Sequence, residues 1–313
     1  MAPPVFWRGR LTTPMTLLVN MSNAIAWANG SARDVGAMKQ RVARAYDGEF
    51  SDHVARYDEL GLELQRRSAR LQLDSVDLEG MDVLDVGSGT GILSFLALEK
   101  GAASVTCGDI SPRMLEAARE NARARGYGDD RITFTELDAE ELPFPKDRFD
   151  VAMTGMTFGL LPRQQQAVKE LARVTRPGGL VCVGAHGPEH YWEAIDASFR
   201  AISKRQVLGY RIEFWPRTDA EIEAMLVRAG LVQATTLRAL WRNDFPAGGD
   251  TYDFFTAVTA AWWYAAFPPE RVAGEAAKER AYFERHRITR LTDDVVFGYA
   301  RKAGAAHQAT PLT

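Results

Sequence analysis

The sequence predicts an α/β fold, a doubly wound sheet with helices on both faces, and three observations carry that prediction. Strand-like and helix-like stretches alternate from residue 81 to 186. A glycine-rich turn, "VGSGTG" (86–91), joins the first strand-like stretch to the helix after it. Acidic residues, Asp109 and Asp138, stand where the second and third strands end.

Each element has a local reason. "MDVLDV" (81–86) is a short apolar run suited to a strand buried on both faces. "GILSFLALEKG" reads as a helix that Gly101 ends. "ASVTCGD" (103–109) is a second strand. Ser111 and Pro112 then form a helix start, an N-cap followed by proline in the first turn, and the helix runs through "RMLEAARENARARG". "RITFTEL" (131–137) and "DVAMTG" (150–155) are the third and fourth strands. The helix "RQQQAVKELARVT" (163–175) is stopped by Pro177-Gly178-Gly179, and "LVCVGAH" (180–186) is the fifth strand.

Two helices precede this core. One spans Asp34 to Tyr46, with Val35, Met38, Val42 and Ala45 at helical spacing; a second, capped by Ser51, carries Val54, Tyr57, Leu60 and Leu64. The basic stretch "QRRSARLQL" (65–73) reads as a solvated helix face. After residue 186 come helices at 189–202 and 219–230 and a strand at 231–240. An aromatic helix (252–267), an amphipathic helix (269–287) and a closing strand (293–302) follow. Trp215 and Trp241 are expected in the core, and Asp293 and Asp294 on a solvent face. The expected division is a loose N-terminal segment (1–33), a helical cap (34–78), a main domain (79–302) and a disordered tail (303–313).

Composition bounds the class. The chain has 313 residues, 46% hydrophobic and 25% charged, the usual mix for a globular protein. A net charge of −3 creates no global field toward nucleic acid or an anionic membrane. No window approaches a membrane span, and the N-terminal segment is too polar for a signal peptide. Two cysteines, Cys107 and Cys182, make neither a disulfide framework nor a metal-ligand spacing, so buried thiols in a cytoplasmic protein are expected.

The strand-end loops suggest a ligand. The dinucleotide fingerprint is G-x-G-x-x-G, but here the glycines stand at Gly87, Gly89 and Gly91, with Ile92 where the last glycine belongs. The turn still lets the backbone approach a ligand, and the next helix offers unpaired N–H groups. Asp85 decides between ligands. A carboxylate there repels pyrophosphate and favours a cationic group, and S-adenosylmethionine carries an ammonium and a sulfonium without phosphate. Asp109, 22 residues past Gly87, is placed for ribose hydroxyls. Asp138 can accept from an adenine amino group while the Ala139 N–H donates to a ring nitrogen, and Ile110 and Met114 can sandwich the base. The plainer readings are a tight turn at 87–91 and helix caps at Asp109 and Asp138.

"VLDVGSGTG", "VTCGDIS", "ITFTELDAEELPFPKDRFDVA" and "VTRPGGLV", in that order and spacing, resemble the class I S-adenosylmethionine-dependent methyltransferases, in particular the small-molecule group that includes quinone C-methyltransferases. The resemblance covers about residues 80 to 186 and extends more loosely to the C-terminus. It implies a Rossmann-like, seven-stranded sheet whose last strand is antiparallel, with a substrate-cap insertion at about 241–290. It also implies that Asp85, Gly87, Ser88, Gly89 and Gly91 line the methionine end of the cofactor, with Thr154 near it. Asp109 would hold the ribose, and Asp138 and Ala139 the adenine. "YDGEFSDHVARYD" (46–58) is similar to the segment that folds over the cofactor, which points to Tyr46 or Tyr57. One departure stands out. Related enzymes often carry histidines after the fourth strand, whereas this chain has "TFGLLP" (157–162).

A base is therefore sought elsewhere. "AHGPEHYW" (185–192) holds His186, Glu189 and His190 just past the fifth strand; the order of preference is His190, His186, then Glu189. A loop and helix start that merely packs Tyr191 and Trp192 is the plainer reading. Trp262, Trp263 and Tyr264 could wall an apolar substrate pocket or pack as a helix face. The function expected is methyl transfer to a small, apolar or ring-containing molecule. Its rivals are a non-catalytic member of the fold that keeps the cofactor as a partner or regulator, and a nicotinamide-dependent oxidoreductase. A nucleic-acid or protein methyltransferase fits the mild charge and aromatic cap less well.

Overall fold

A computed structural model describes residues 10, 17, 20, 21, 23–25, 28, 34–48, 53–201, 216–259, 263, 264 and 267–304. Most of the expected N-terminal segment, Ser51, Trp215, Trp262 and nearly all of the expected tail lie outside those residues.

The elements in chain order are α1 (Val35–Tyr46), α2 (His53–Leu73), β1 (Asp82–Val86), α3 (Ile92–Glu99), β2 (Ser104–Asp109), α4 (Pro112–Ala124), β3 (Ile132–Glu136) and β4 (Phe149–Thr154). A 3-10 turn (Met156–Leu160) leads to α5 (Gln164–Val174), β5 (Thr175–His186), α6 (Trp192–Ala201), α7 (Asp219–Arg228), β6 (Leu231–Asp244), α8 (Gly248–Val258), α9 (Pro269–Arg285) and β7 (Arg290–Lys302). The seven strands form one sheet in the order β3-β2-β1-β4-β5-β7-β6. β1 pairs in parallel with β2 and β4, β2 with β3, and β4 with β5, whereas β7 runs antiparallel to β5. This is the predicted fold class, including the antiparallel strand near the end.

The helix starts follow from their sequences. Ser111 accepts the Met114 N–H at 3.2 Å and Pro112 occupies the first turn of α4. Thr218 and Glu221 form a reciprocal capping box at the start of α7.

The chain divides into two compact units. One comprises residues 62–186, 217–238 and 295–313 and contains most of the sheet. Successive residues of its strands face opposite cores, as the strand period of two requires. Leu84, Val86, Ala152, Val181 and Val183 join Phe158, Val168 and Leu171 on one face. Val83, Val105, Val151, Met153 and Cys182 join Phe95 and Leu98 on the other. Both cysteines are buried and unbridged.

The second unit comprises residues 1–61, 187–216 and 239–294. Its core is aromatic: Phe254, Phe255, Trp263, Tyr264 and Phe283 are all buried. Within it the buried Glu279 carboxylate accepts from the Tyr264 hydroxyl at 2.6 Å and the Trp263 indole at 3.2 Å.

Several local expectations need correction. Pro177-Gly178-Gly179 lies inside the span of β5, because α5 already ends at Val174. The aromatic helix starts at Gly248 and ends at Val258, earlier at both ends than its hydrophobic pattern suggests. In 65–73, Arg67 and Arg70 are exposed, but Ser68, Ala69, Gln72 and Leu73 are buried, so this helix has a solvated and a packed face. Asp293 and Asp294 are buried rather than solvent-facing. Asp294 Oδ2 accepts the Glu189 N–H at 2.8 Å and Asp293 accepts from the Asn243 amide, which supplies the hydrogen bonds a buried carboxylate needs.

Candidate functional site

In the sheet-containing unit, β1 and β4 are neighbours although two strands intervene in sequence. The strand order reverses between them, and ligands in open α/β sheets bind at the carboxyl ends of strands at such a switch point. Register places Val86 beside both Gly108 and Thr154, so the ends of β1, β2 and β4 stand side by side.

The glycine turn leaves β1 at this edge. The Gly87 and Ser88 N–H groups donate to the Gly108 carbonyl at 2.7 and 3.0 Å, anchoring the turn to β2. Gly87 has φ +72°, and a Cβ there would lie 2.4 Å from Thr157 Cγ2, so both conformation and space require glycine. Gly89 differs: its φ is +54°, but a Cβ there would meet nothing within 4 Å. Its backbone faces open space.

Asp109, at the end of β2, holds the turn. Its Oδ2 accepts the Gly89 N–H at 2.9 Å and its Oδ1 accepts the Ser111 N–H at 2.9 Å. Asp85 is buried beneath the turn. Its Oδ2 accepts the Ser94 hydroxyl at 2.6 Å, and Ser94 Oγ in turn accepts from Cys107 Sγ at 3.0 Å. Burial is the main reason its pKa rises from 3.8 to about 7; the Ser94 hydrogen bond opposes the rise and the nearby Asp109 charge adds to it.

Three buried oxygens at this edge have no hydrogen-bond partner: Asp85 Oδ1, Ser88 Oγ and Thr154 Oγ1. Buried polar atoms are nearly always satisfied in native proteins, so three unsatisfied ones along one sheet edge make this edge the candidate ligand site. A carboxylate oxygen, two hydroxyls and an open glycine backbone fit a cationic, phosphate-free group such as the methionine end of S-adenosylmethionine.

The other sequence-selected residues are placed as follows. Asp138 is half-buried, and its Oδ1 accepts the Glu140 N–H at 2.9 Å, which folds the carboxylate onto its own turn beside the buried Ala139. Ile110 is half-buried, while Met114 is only 1% exposed and packed into the protein. His186 ends β5, and its carbonyl accepts the Arg217 N–H at 2.8 Å. Glu189 and His190 belong to the other unit, as does Tyr46, the last residue of α1. There the Glu189 carboxylate pairs with Arg10 at 2.9 Å. His190 is buried, with Nδ1 3.2 Å from the Asp294 carbonyl oxygen and 3.8 Å from Asp293 Oδ1. Burial lowers its pKa to about 3, against a small opposing effect of the Asp294 bond. The ring is neutral at every physiological pH. The neighbouring Tyr191 has φ +48°, an uncommon conformation for a non-glycine residue, and its N–H donates to the Thr292 carbonyl at 2.7 Å.

Sequence reasoning missed Ser94 and Thr157. Ser94 stands among apolar residues of α3, where a lone hydroxyl three residues past the turn signals a partner beneath it. Thr157, in the stretch without histidines, donates from Oγ1 to the Gly87 carbonyl at 2.9 Å and so braces the turn from the β4 side.

A family model described as a methyltransferase domain matches residues 83–179. The ubiquinone/menaquinone biosynthesis C-methyltransferase of Hahella chejuensis is 33% identical over 150 residues, 46% of this chain and 59% of that protein. The chain thus spans about three fifths of that relative's length. The demethylmenaquinone methyltransferase of Thermus thermophilus is 31% identical over 205 residues, 58% of this chain and 90% of that protein. Among solved structures, the YcgJ protein of Bacillus subtilis shares the fold with a TM-score of 0.55 at 17% identity, over 76% of this chain and 99% of that one. The chain belongs to the class I S-adenosylmethionine-dependent methyltransferases and is similar to the quinone C-methyltransferases within them.

Proposed function

We infer that the protein methylates a small, apolar, ring-containing acceptor, with S-adenosylmethionine as methyl donor. The observation that carries the reading is the buried Asp85 carboxyl beneath the glycine turn, with unsatisfied oxygens on Asp85, Ser88 and Thr154 along the same strand edge and open space at Gly89. The relatives named as quinone and menaquinone methyltransferases support an apolar ring acceptor.

Bound, the cofactor supplies an electrophilic methyl group on sulfonium; the protein supplies position and dryness. In this reading Asp85, Gly87, Ser88, Gly89, Gly91 and Thr154 hold the methionine end. Asp109 takes the ribose while its two loop bonds keep the turn in place. Asp138, Ala139, Ile110 and Met114 take the adenine. Alignment of donor and acceptor is worth about 7–11 kcal/mol in well-oriented reactions.

The candidates to take the acceptor's proton are His190, His186 and Glu189, of which His186 stands in the same unit as the cofactor residues. His190 Nδ1 lies 3.2 Å from the Asp294 carbonyl oxygen and 3.3 Å from the Asp294 backbone nitrogen; only in the tautomer that donates to the carbonyl does Nε2 carry a lone pair. Burial makes His190 a weak base at neutral pH, so it suits only an acceptor that arrives already ionised. The aromatic residues of 241–290 are the proposed acceptor-binding element.

The test is incubation of the purified protein with methyl-labelled S-adenosylmethionine and a panel of hydroquinones, followed by separation of small molecules from macromolecules. Label in a methylated hydroquinone is expected. Label only in protein or nucleic acid overturns the acceptor class. Binding of adenosylhomocysteine without transfer to any acceptor favours a non-catalytic role.

A further inference from the structure

The C-terminal edge of β4 has a second, unassigned support. A parallel strand that ends at a ligand edge leaves its last carbonyls beyond the ladder, and a buried carbonyl needs a donor. For Thr154 that donor is Gln72, whose Nε2 donates to the Thr154 carbonyl at 2.9 Å. Gln72 is 2% exposed and lies one residue before the end of α2, in the stretch whose sequence suggested only a solvated face. Its own carbonyl accepts the Tyr299 hydroxyl at 2.8 Å, tying this end of the helix to β7. Space has been made for the amide. A Cβ on Gly184, in β5, would lie 2.8 Å from Gln72 Oε1 and 3.2 Å from the Gly155 carbonyl carbon.

We propose that Gln72 is a positioning residue for the methionine end of the cofactor site. It holds the Thr154 peptide, and with it the buried, unpartnered Thr154 Oγ1, at the end of β4 next to the end of β1. Register pairs Thr154 with Val86, the last residue of β1, so the peptide that Gln72 holds stands where the glycine turn begins. Gln72 acts from beneath the β4 edge while Thr157 braces Gly87 from the following turn, so β4 and the glycine turn are fixed together. The inference rests on the assignment of this edge to the cofactor.

The experiment is a double-mutant cycle on the full chain, read as adenosylhomocysteine affinity by calorimetry, with cofactor KM and kcat measured in parallel. Gln72→Met keeps the length of the side chain and removes the donor. One hydrogen bond is worth about 2- to 13-fold in an equilibrium constant, so a loss of affinity of about tenfold is expected, appearing in cofactor KM more than in kcat. If Gln72 acts through Thr154, Gln72→Met in a Thr154→Val background changes affinity less than twofold. Gly184→Ala, which presses mainly on the far end of the Gln72 side chain and less on the Gly155 backbone, shifts affinity in the same direction by a smaller factor. A Gln72→Met protein with a lowered Tm but affinity within twofold of wild type shows a structural role and overturns the proposal. So does an effect undiminished in the Thr154→Val background. The wild type and a Gly89→Leu variant separate the two levels. If both bind alike, or neither binds, the site assignment fails; if only the wild type binds and Gln72→Met is unaffected, the positioning role fails alone.

Discussion

Replacing Asp85 by asparagine should stabilise the cofactor-free protein at neutral pH while weakening cofactor binding. The carboxyl is fully buried and its pKa stands at about 7 instead of 3.8. Between those values the folded chain holds a proton that the unfolded chain has released. Stability therefore falls as pH rises through this window, and the full penalty applies above pH 7. Three units at 1.36 kcal/mol each amount to about 4 kcal/mol, of which about 2.7 kcal/mol accrues between pH 5 and pH 8. Asparagine does not ionise, so it escapes this term. The change in its hydrogen bond with Ser94 costs about 1–3 kcal/mol but does not vary with pH. The assay is urea unfolding of both proteins without cofactor at intervals from pH 5 to 8, extrapolated linearly to water. The difference, variant minus wild type, should rise with pH by roughly 2–3 kcal/mol. A difference constant to within about 0.5 kcal/mol would refute the claim that a buried, protonated carboxyl sits beneath the glycine turn.

The same group sets the pH dependence of binding. Adenosylhomocysteine retains the ammonium that the ionised Asp85 attracts, so wild-type affinity should weaken below pH 7 and the asparagine variant should bind weakly with little pH dependence; isothermal titration at several pH values checks this. His190, with a pKa near 3, should contribute no acid limb near pH 6.5 to kcat, and His190→Gln should retain cofactor affinity while lowering turnover if it takes the acceptor's proton. Gly87→Ala places a Cβ 2.4 Å from Thr157 and should lower stability by about 1–3 kcal/mol, whereas Gly89→Ala, with open space around it, should lose cofactor affinity more than stability; thermal melts and binding measured together distinguish them. Glu279, whose carboxyl burial pushes above its usual range, should yield a protein more stable at pH 8 than wild type when replaced by Gln, because the amide oxygen still accepts from Tyr264 and Trp263 without a buried charge.

The sequence by itself determined the alternation of strands and helices, the cap at Ser111, and the glycine turn at the end of the first strand. These depend on residues within a few positions of one another, where side-chain period, capping and backbone freedom act directly. The family likeness was legible for the same reason, since its motifs are contiguous. Only the tertiary structure decided what depends on distant pairs. Ser94 meets Asp85 because α3 crosses back over β1, and Gln72 meets Thr154 although 82 residues separate them. Asp293 and Asp294 read in sequence as a solvent face at a strand start, yet both are buried, with Asn243 donating to the Asp293 carboxylate and the Glu189 N–H to that of Asp294. Burial also raised Asp85 and lowered His190 in pKa, and burial follows from the whole arrangement of packed elements rather than from any local pattern.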